Sequence, residues 1–127
     1  MNRRDLIAYL RQSMEIDVYS PPVRGDAERP FVVLTLISAV NDQESISETG
    51  LTDYTWQLDV YGDTFDSVEQ LRDKVVEALN KPGEHPRIGA TLAAYCRVEN
   101  MQELTELELE GSENPLVRFT IEVRIII

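Results

Sequence analysis

Few side chains in this sequence are of a kind that performs chemistry, and the setting of each decides what it could do. His85 is the single histidine and Cys96 the single cysteine. His85 could act as a general base, but it lies in Pro82-Gly83-Glu84-His85-Pro86, a turn-like segment with no serine or cysteine nucleophile in a recognisable setting beside it. Cys96 alternates with apolar residues and reads as a small buried hydrophobe rather than a reactive thiolate. One cysteine permits neither an intrachain disulfide nor a cysteine-based zinc cage. Asp59, Asp63 and Asp66 come nearest to a metal cluster. Asp63 and Asp66, however, suit the start of a helix, where the helix dipole favours negative charge, and the spacing is not that of a calcium loop. There is no glycine-rich phosphate cradle and no Cys/His ligand pattern. No catalytic residue, cofactor-binding residue or metal ligand is expected.

Charge narrows the partners. Twelve basic residues against 23 acidic ones give a net charge of −11. That balance argues against a basic nucleic-acid-binding face and against attachment to anionic membrane. It suits solubility, a basic partner, or a surface that repels DNA. The opening MNRRDLIAYLRQ lacks the uninterrupted apolar run of a signal peptide, and no stretch is long and apolar enough to span a bilayer. A reducing cytoplasmic setting is the simplest expectation.

At 127 residues the chain is expected to form one domain. Its clearest unit is a strand at 54–61, with Trp56, Leu58 and Val60 on one face, running into a helix at 64–80. Asp63 or Thr64 can cap that helix, Phe65, Val68, Leu71, Val75, Val76 and Leu79 supply its apolar stripe, and Pro82-Gly83 end it. A first helix is expected at 3–14, carrying Leu6, Ile7, Leu10 and Met14 on one side, and the prolines and Gly25 within 15–30 imply an extended arm. The segment 31–40 is apolar at nearly every position. Its even residues Val32, Leu34, Leu36 and Val40 can join the core, which leaves Phe31, Val33 and Ile37 in need of a cover that a second subunit could supply.

A polar loop at 41–53 is longer than a hairpin needs. A third strand is expected at 91–98, an acidic loop at 99–115 with room for a short strand around Leu107 and Leu109, and a last alternating strand at 116–127. The expected fold is a two-layer α+β sandwich: a mixed, mostly antiparallel sheet of four to five strands, with two helices packed on one face.

Several of these features together resemble a known family. The extended Val18-Tyr19 arm ends in Arg29-Pro30-Phe31-Val32-Val33, Trp56-Gln57-Leu58-Asp59-Val60-Tyr61-Gly62-Asp63-Thr64-Phe65 runs into a helix containing Leu71-Arg72-Asp73-Lys74-Val75, and the terminal strand reads Val117-Arg118-Phe119-Thr120-Ile121-Glu122-Val123. In this order they resemble the tail terminator (tail completion, head-tail joining) proteins of long-tailed bacteriophages. The glutamate-rich stretch 99–113 departs from that pattern.

The resemblance implies a non-enzymatic virion protein without cofactors, assembled in the host cytoplasm. It implies a ring, commonly hexameric, on the head-proximal end of the tail tube, which stops tube polymerisation and offers a surface to the head-tail connector. DNA would touch such a ring only in passage, and no membrane is involved. Within that reading Phe31, Val33 and Ile37, with Val18 and Tyr19 of the arm, are expected at the subunit contact. Asp42, Glu44, Ile46, Glu48 and Leu51 belong to a loop expected to meet an axial partner, and Glu103, Glu106 and Glu108 are expected to line the channel. Two other classes fit the composition: an acidic DNA mimic that inhibits a host protein, and a small ligand-binding α+β domain. The first needs carboxylates spaced like phosphates on one face, the second a pocket.

Overall fold

Alternation of apolar and polar side chains forces a strand to bury one face, and that face here is roofed by the two amphipathic helices found among the described residues. A computed structural model describes residues 1–14, 18–20, 29–40, 50–107 and 116–127, with the backbone path alone for 104–107 and 116. In chain order the elements are α1 (Arg3–Met14), β1 (Val18–Tyr19), β2 (Phe31–Val40), β3 (Asp53–Gly62), α2 (Phe65–Leu79), β4 (Arg87–Ile88), β5 (Thr91–Leu92), β6 (Tyr95–Leu107) and β7 (Leu116–Ile126). Five strands form a sheet in the order β1-β2-β3-β7-β6, and β4 and β5 form a separate small pair. The β1–β2 pairing is parallel; the other pairings in the main sheet are antiparallel. The fold is the expected mixed-sheet α+β sandwich.

Each helix start has a local cause. In α1 the Asn2 side chain accepts from the Asp5 N–H at 2.9 Å while the Asp5 carboxylate accepts from the Asn2 N–H, so two otherwise free amides are satisfied reciprocally. In α2 Thr64 is the cap, its hydroxyl accepting from the Ser67 N–H at 3.1 Å. Leu6, Leu10 and Met14 of α1 and Val68, Leu71, Val75 and Leu79 of α2 share one core with Val32, Leu34, Trp56, Leu58, Val60, Ile121, Val123 and Ile125 of the sheet. The Tyr9 hydroxyl donates to the Ala78 carbonyl at 2.6 Å and ties the helices together. The Cys96 thiol donates to the Leu79 carbonyl at 3.1 Å, so Cys96 is the inward-facing hydrophobe its alternation implied.

Three expectations about the strands and one about a helix are corrected. The strand expected at 91–98 is broken: Thr91–Leu92 pairs with Arg87–Ile88, the Ala93 N–H turns to Pro86, and Leu92 and Ala94 are exposed rather than inward. The loop expected from 99 is strand as far as Leu107, because pairing along β7 overrides the poor strand propensity of glutamate. In β2 the register slips between Leu36 and Ser38, so Val40 changes face, lies opposite Asp53 and is 53% exposed instead of joining the core. Leu36, just before the slip, is exposed as well. Lastly, Phe65 is exposed and takes no part in the apolar stripe of α2, since it opens the helix at the rim.

The long connection is also shorter than it reads. Thr52 exchanges two backbone hydrogen bonds with Ile127, at 2.9 and 3.0 Å, and Asp53 already belongs to β3.

Candidate assembly face

Opposite the helices, the sheet presents a second face built by the other half of each alternation. Register places Phe31, Tyr61 and Arg118 on one rung, Val33, Asp59, Thr120 and Gln102 on the next, and Thr35, Gln57, Glu122 and Asn100 on the one after. Asp59 is buried there, at 5% exposure, although the face carries no helix among the described residues. Its Oδ1 accepts from Arg118 Nε and Nη2, at 3.1 and 3.0 Å, and from the Thr120 hydroxyl at 2.7 Å; its Oδ2 accepts from the Gln57 amide at 3.0 Å. Neighbouring side chains complete the cover. The Arg118 guanidinium lies 5.7 Å from the centre of the Tyr61 ring, which stacks on Phe31 at 5.3 Å, and Tyr19 meets Phe31 edge-on at 5.7 Å. Burial is the main reason the Tyr61 hydroxyl is pushed above its ordinary pKa, with Arg118 opposing and Asp59 adding to the shift.

A second ion pair braces the other end of the same face. Arg124 clasps Asp53 with contacts of 2.6 to 3.0 Å, a two-pronged geometry that holds the strands in register, and this pairing raises its already high pKa. Arg124 also covers the Tyr95 ring at 5.5 Å, and the Tyr95 hydroxyl donates to Glu99 at 2.7 Å. That bond to a carboxylate is the chief reason the Tyr95 pKa is raised. The face is therefore internally neutralised and offers shape and hydrogen bonding more than net charge.

The sequence-derived site residues scatter differently from one another. Val18 lies in the core and Tyr19 is half-buried. Phe31 and Val33 are each 8% exposed, covered within the protomer, whereas Ile37 sits in the bulge at 53%. Leu51 is half-buried beside the chain end, and Asp42, Glu44, Ile46 and Glu48 lie outside the described residues. Glu103 is exposed on β6, the backbone of Glu106 continues that strand, and Glu108 lies outside the described residues.

The groups weighed for chemistry do not converge. His85 Nδ1 is 3.0 Å from the Ala93 carbonyl, Asp63 pairs with Arg29 at 2.6 Å, Asp66 lies in the first turn of α2, and burial pushes the Cys96 thiol up to about 12. Among the described residues no group of three His, Cys, Asp or Glu side chains could hold a metal ion, and no helix is long and apolar enough to cross a membrane.

Arg118 and Arg124 are the structural residues that the sequence reading left without a role. Their signal was present in the alternation Arg118, Thr120, Glu122, Arg124, but it needed the β3–β7 register to place them against Asp59 and Asp53.

This combination of helix-roofed sheet, crossing strand order and braced second face extends over the chain in the order that the sequence resemblance required. A family model described as "Tail completion protein gp17" matches residues 4–127. The chain belongs to the phage tail completion protein family. No curated protein matches it. Family membership makes it a structural component of a phage tail, and hence of the virion, that works in contact with other head or tail proteins. In this tail completion protein the Gly62 of the Tyr-Gly-Asp-Thr motif has a visible cause. A Cβ there would sit 2.8 Å from both Ser67 Oγ and Val68 Cγ2, so only glycine lets β3 turn this closely into α2.

Proposed function

We propose that the protein forms a homo-oligomeric ring, a hexamer on the tail, that caps the head-proximal end of the tail tube, ends tube polymerisation and supplies the surface to which the head-tail connector binds. The observation that carries this reading is the family match across residues 4–127. The net charge of −11 supports it, because acidic walls would not retain the phosphates of DNA sliding through a channel. The protein acts without enzymatic chemistry or cofactor, is assembled in the host cytoplasm, and meets DNA only in passage and membrane not at all. An acidic DNA mimic is disfavoured by Asp53 and Asp59, whose charges are consumed by Arg124 and Arg118 instead of being displayed.

Within this reading Ile37 is the exposed member of the proposed subunit contact, the 41–53 segment reaches the tube or the connector, and Glu103, Glu106 and Glu108 line the bore. Repeated around a ring, those glutamates would oppose assembly by about 1 kcal/mol per close pair, a cost that salt screens within about 8 Å. The test is electron microscopy of purified tail tubes mixed with the protein, together with mass measurement over a range of ionic strength. Tubes should stop growing at one length and carry a terminal ring, and ring formation should strengthen with salt unless the three glutamates are replaced by Gln. Replacing 41–53 with an Asn-Gly turn should leave the fold intact and abolish completion. Tubes that elongate unchecked in excess protein would sink the reading.

A further inference from the structure

Among the described residues the main sheet ends in two open edges. β1 covers β2 only at Val32 and Val33, so from Leu34 to Val40 the outer edge of β2 has no partner strand among the described residues. At the far side, the linker after α2 occupies the edge of β6 at its start, where the Lys81 N–H donates to the Cys96 carbonyl and Asn80 accepts from the Val98 N–H. From Asn100 to Leu107 that edge too lacks a partner among the described residues. The two stretches are similar in length, seven and eight residues, or ~23–26 Å of strand.

Their directions match as well. β2, β3, β7 and β6 alternate, so the two edge strands run opposite ways. Rotating the protomer about an axis along the strands brings β2 of one copy beside β6 of the next in antiparallel order, the more stable pairing, and the same step repeats until the ring closes. Apolar surface is concentrated at the same places. Of the six exposed large hydrophobic side chains among the described residues, Leu36, Ile37 and Val40 lie on the β2 edge and Met101 on the β6 edge, while Phe65 opens α2 and Leu92 lies in the small β4–β5 pair.

We propose that neighbouring copies of this chain join by pairing β2 (Leu34–Val40) of one with β6 (Asn100–Leu107) of the next, giving one continuous sheet around the assembly. The inference rests on the ring reading above and names the contact within it. The bulge at Ile37 and the glutamates Glu99 and Glu103 on β6 are devices that discourage indiscriminate edge pairing. Pairing therefore awaits the tube, which brings copies to high effective concentration.

The contact is head-to-tail, so a β2 edge never meets another β2 edge. Rings assembled on tail tubes from Ile37→Cys/Met101→Cys protein, treated with a short bis-maleimide and run under denaturing conditions, should give a covalent ladder reaching the full ring. Either single variant should give none; the native Cys96 is buried and is left in place. Ile37→Lys and Met101→Lys should each lower ring occupancy on tubes at least tenfold while the free protein keeps its fold by circular dichroism. Rings that form without a ladder and tolerate both lysines overturn the edge contact but leave the ring reading intact, and ladders from the single variants replace it with a two-fold contact. Absence of any ring on wild-type tubes removes both.

Discussion

The Asp59–Arg118 pair allows a quantitative test of what holds the second face of the sheet. The Asp59 side chain is 7% exposed and that of Arg118 25%, so the two partners do not stand to lose equally when the other is removed. Breaking a fully buried ion pair costs about 3–5 kcal/mol because the remaining charge is stranded. In Asp59→Ala the stranded group is Arg118, which water already reaches, and the cost should fall to about 2 kcal/mol. In Arg118→Ala the stranded group is the deeper Asp59, which keeps only Thr120 and Gln57, and the cover over Tyr61 is lost too. That variant should cost about 3–4 kcal/mol.

The double variant leaves neither charge stranded and should cost less than the sum of the singles by about 2 kcal/mol. Urea unfolding followed through Trp56, the single tryptophan and almost fully buried, measures all three. A 2 kcal/mol loss should lower the midpoint by about 1 M for a slope near 2 kcal/mol per molar. Equal costs for the two singles, or additivity within about 0.5 kcal/mol, would refute the claim that the buried carboxylate is the centre of this cluster.

Two further outcomes follow from local geometry. Gly62→Ala must push Ser67 or Val68 aside, and overpacking of this kind should destabilise by about 1–3 kcal/mol, read as a drop in Tm; an unchanged Tm would mean that β3 and α2 can part without cost. Cys96, raised by burial from 9.0 to about 12, holds its proton in the folded protein after the unfolded chain has lost it. Stability is then fully present below pH 9 and declines as pH rises from there towards 12, by about 2–3 kcal/mol between pH 9 and 11. Tyr61 and Tyr9, also raised mainly by burial, deepen the decline above pH 10. Urea titrations at successive pH values should show a shallower alkaline decline in Cys96→Ala, and identical slopes would place the effect elsewhere.

What could be read from the sequence was whatever depended on a single element's own period. The stripe Leu6, Leu10, Met14 and the alternation Trp56, Leu58, Val60 follow from spacing along one segment and are found, and of the two candidate caps, Asp63 and Thr64, it is Thr64 that caps α2. What could not be read depended on a neighbour. Val40 has the parity of Val32 and Leu34 in the sequence, yet one inserted residue in the β2–β3 ladder turns it to the opposite face. Glu99–Leu107 carries the composition of a loop, and only the presence of β7 alongside makes it strand. The ion pairs Asp59–Arg118 and Asp53–Arg124 join residues far apart in the chain, so no local pattern could pair them.

The same two misread segments, the end of β2 and the length of β6, are the open edges of the sheet, and their shared position has a physical reason. A strand in the middle of a sheet has its composition set by two neighbours and a covered face, so it reads as strand. An edge strand is under pressure to look unlike one, through a bulge as at Ile37 or through charge as at Glu99 and Glu103, because a clean apolar edge would pair with any other strand. The features that hide these segments from a reading by period are therefore those expected of edge strands, which is what both are among the described residues. Under the proposed edge contact they would close only on the neighbour whose strand direction, length and exposed apolar residues match.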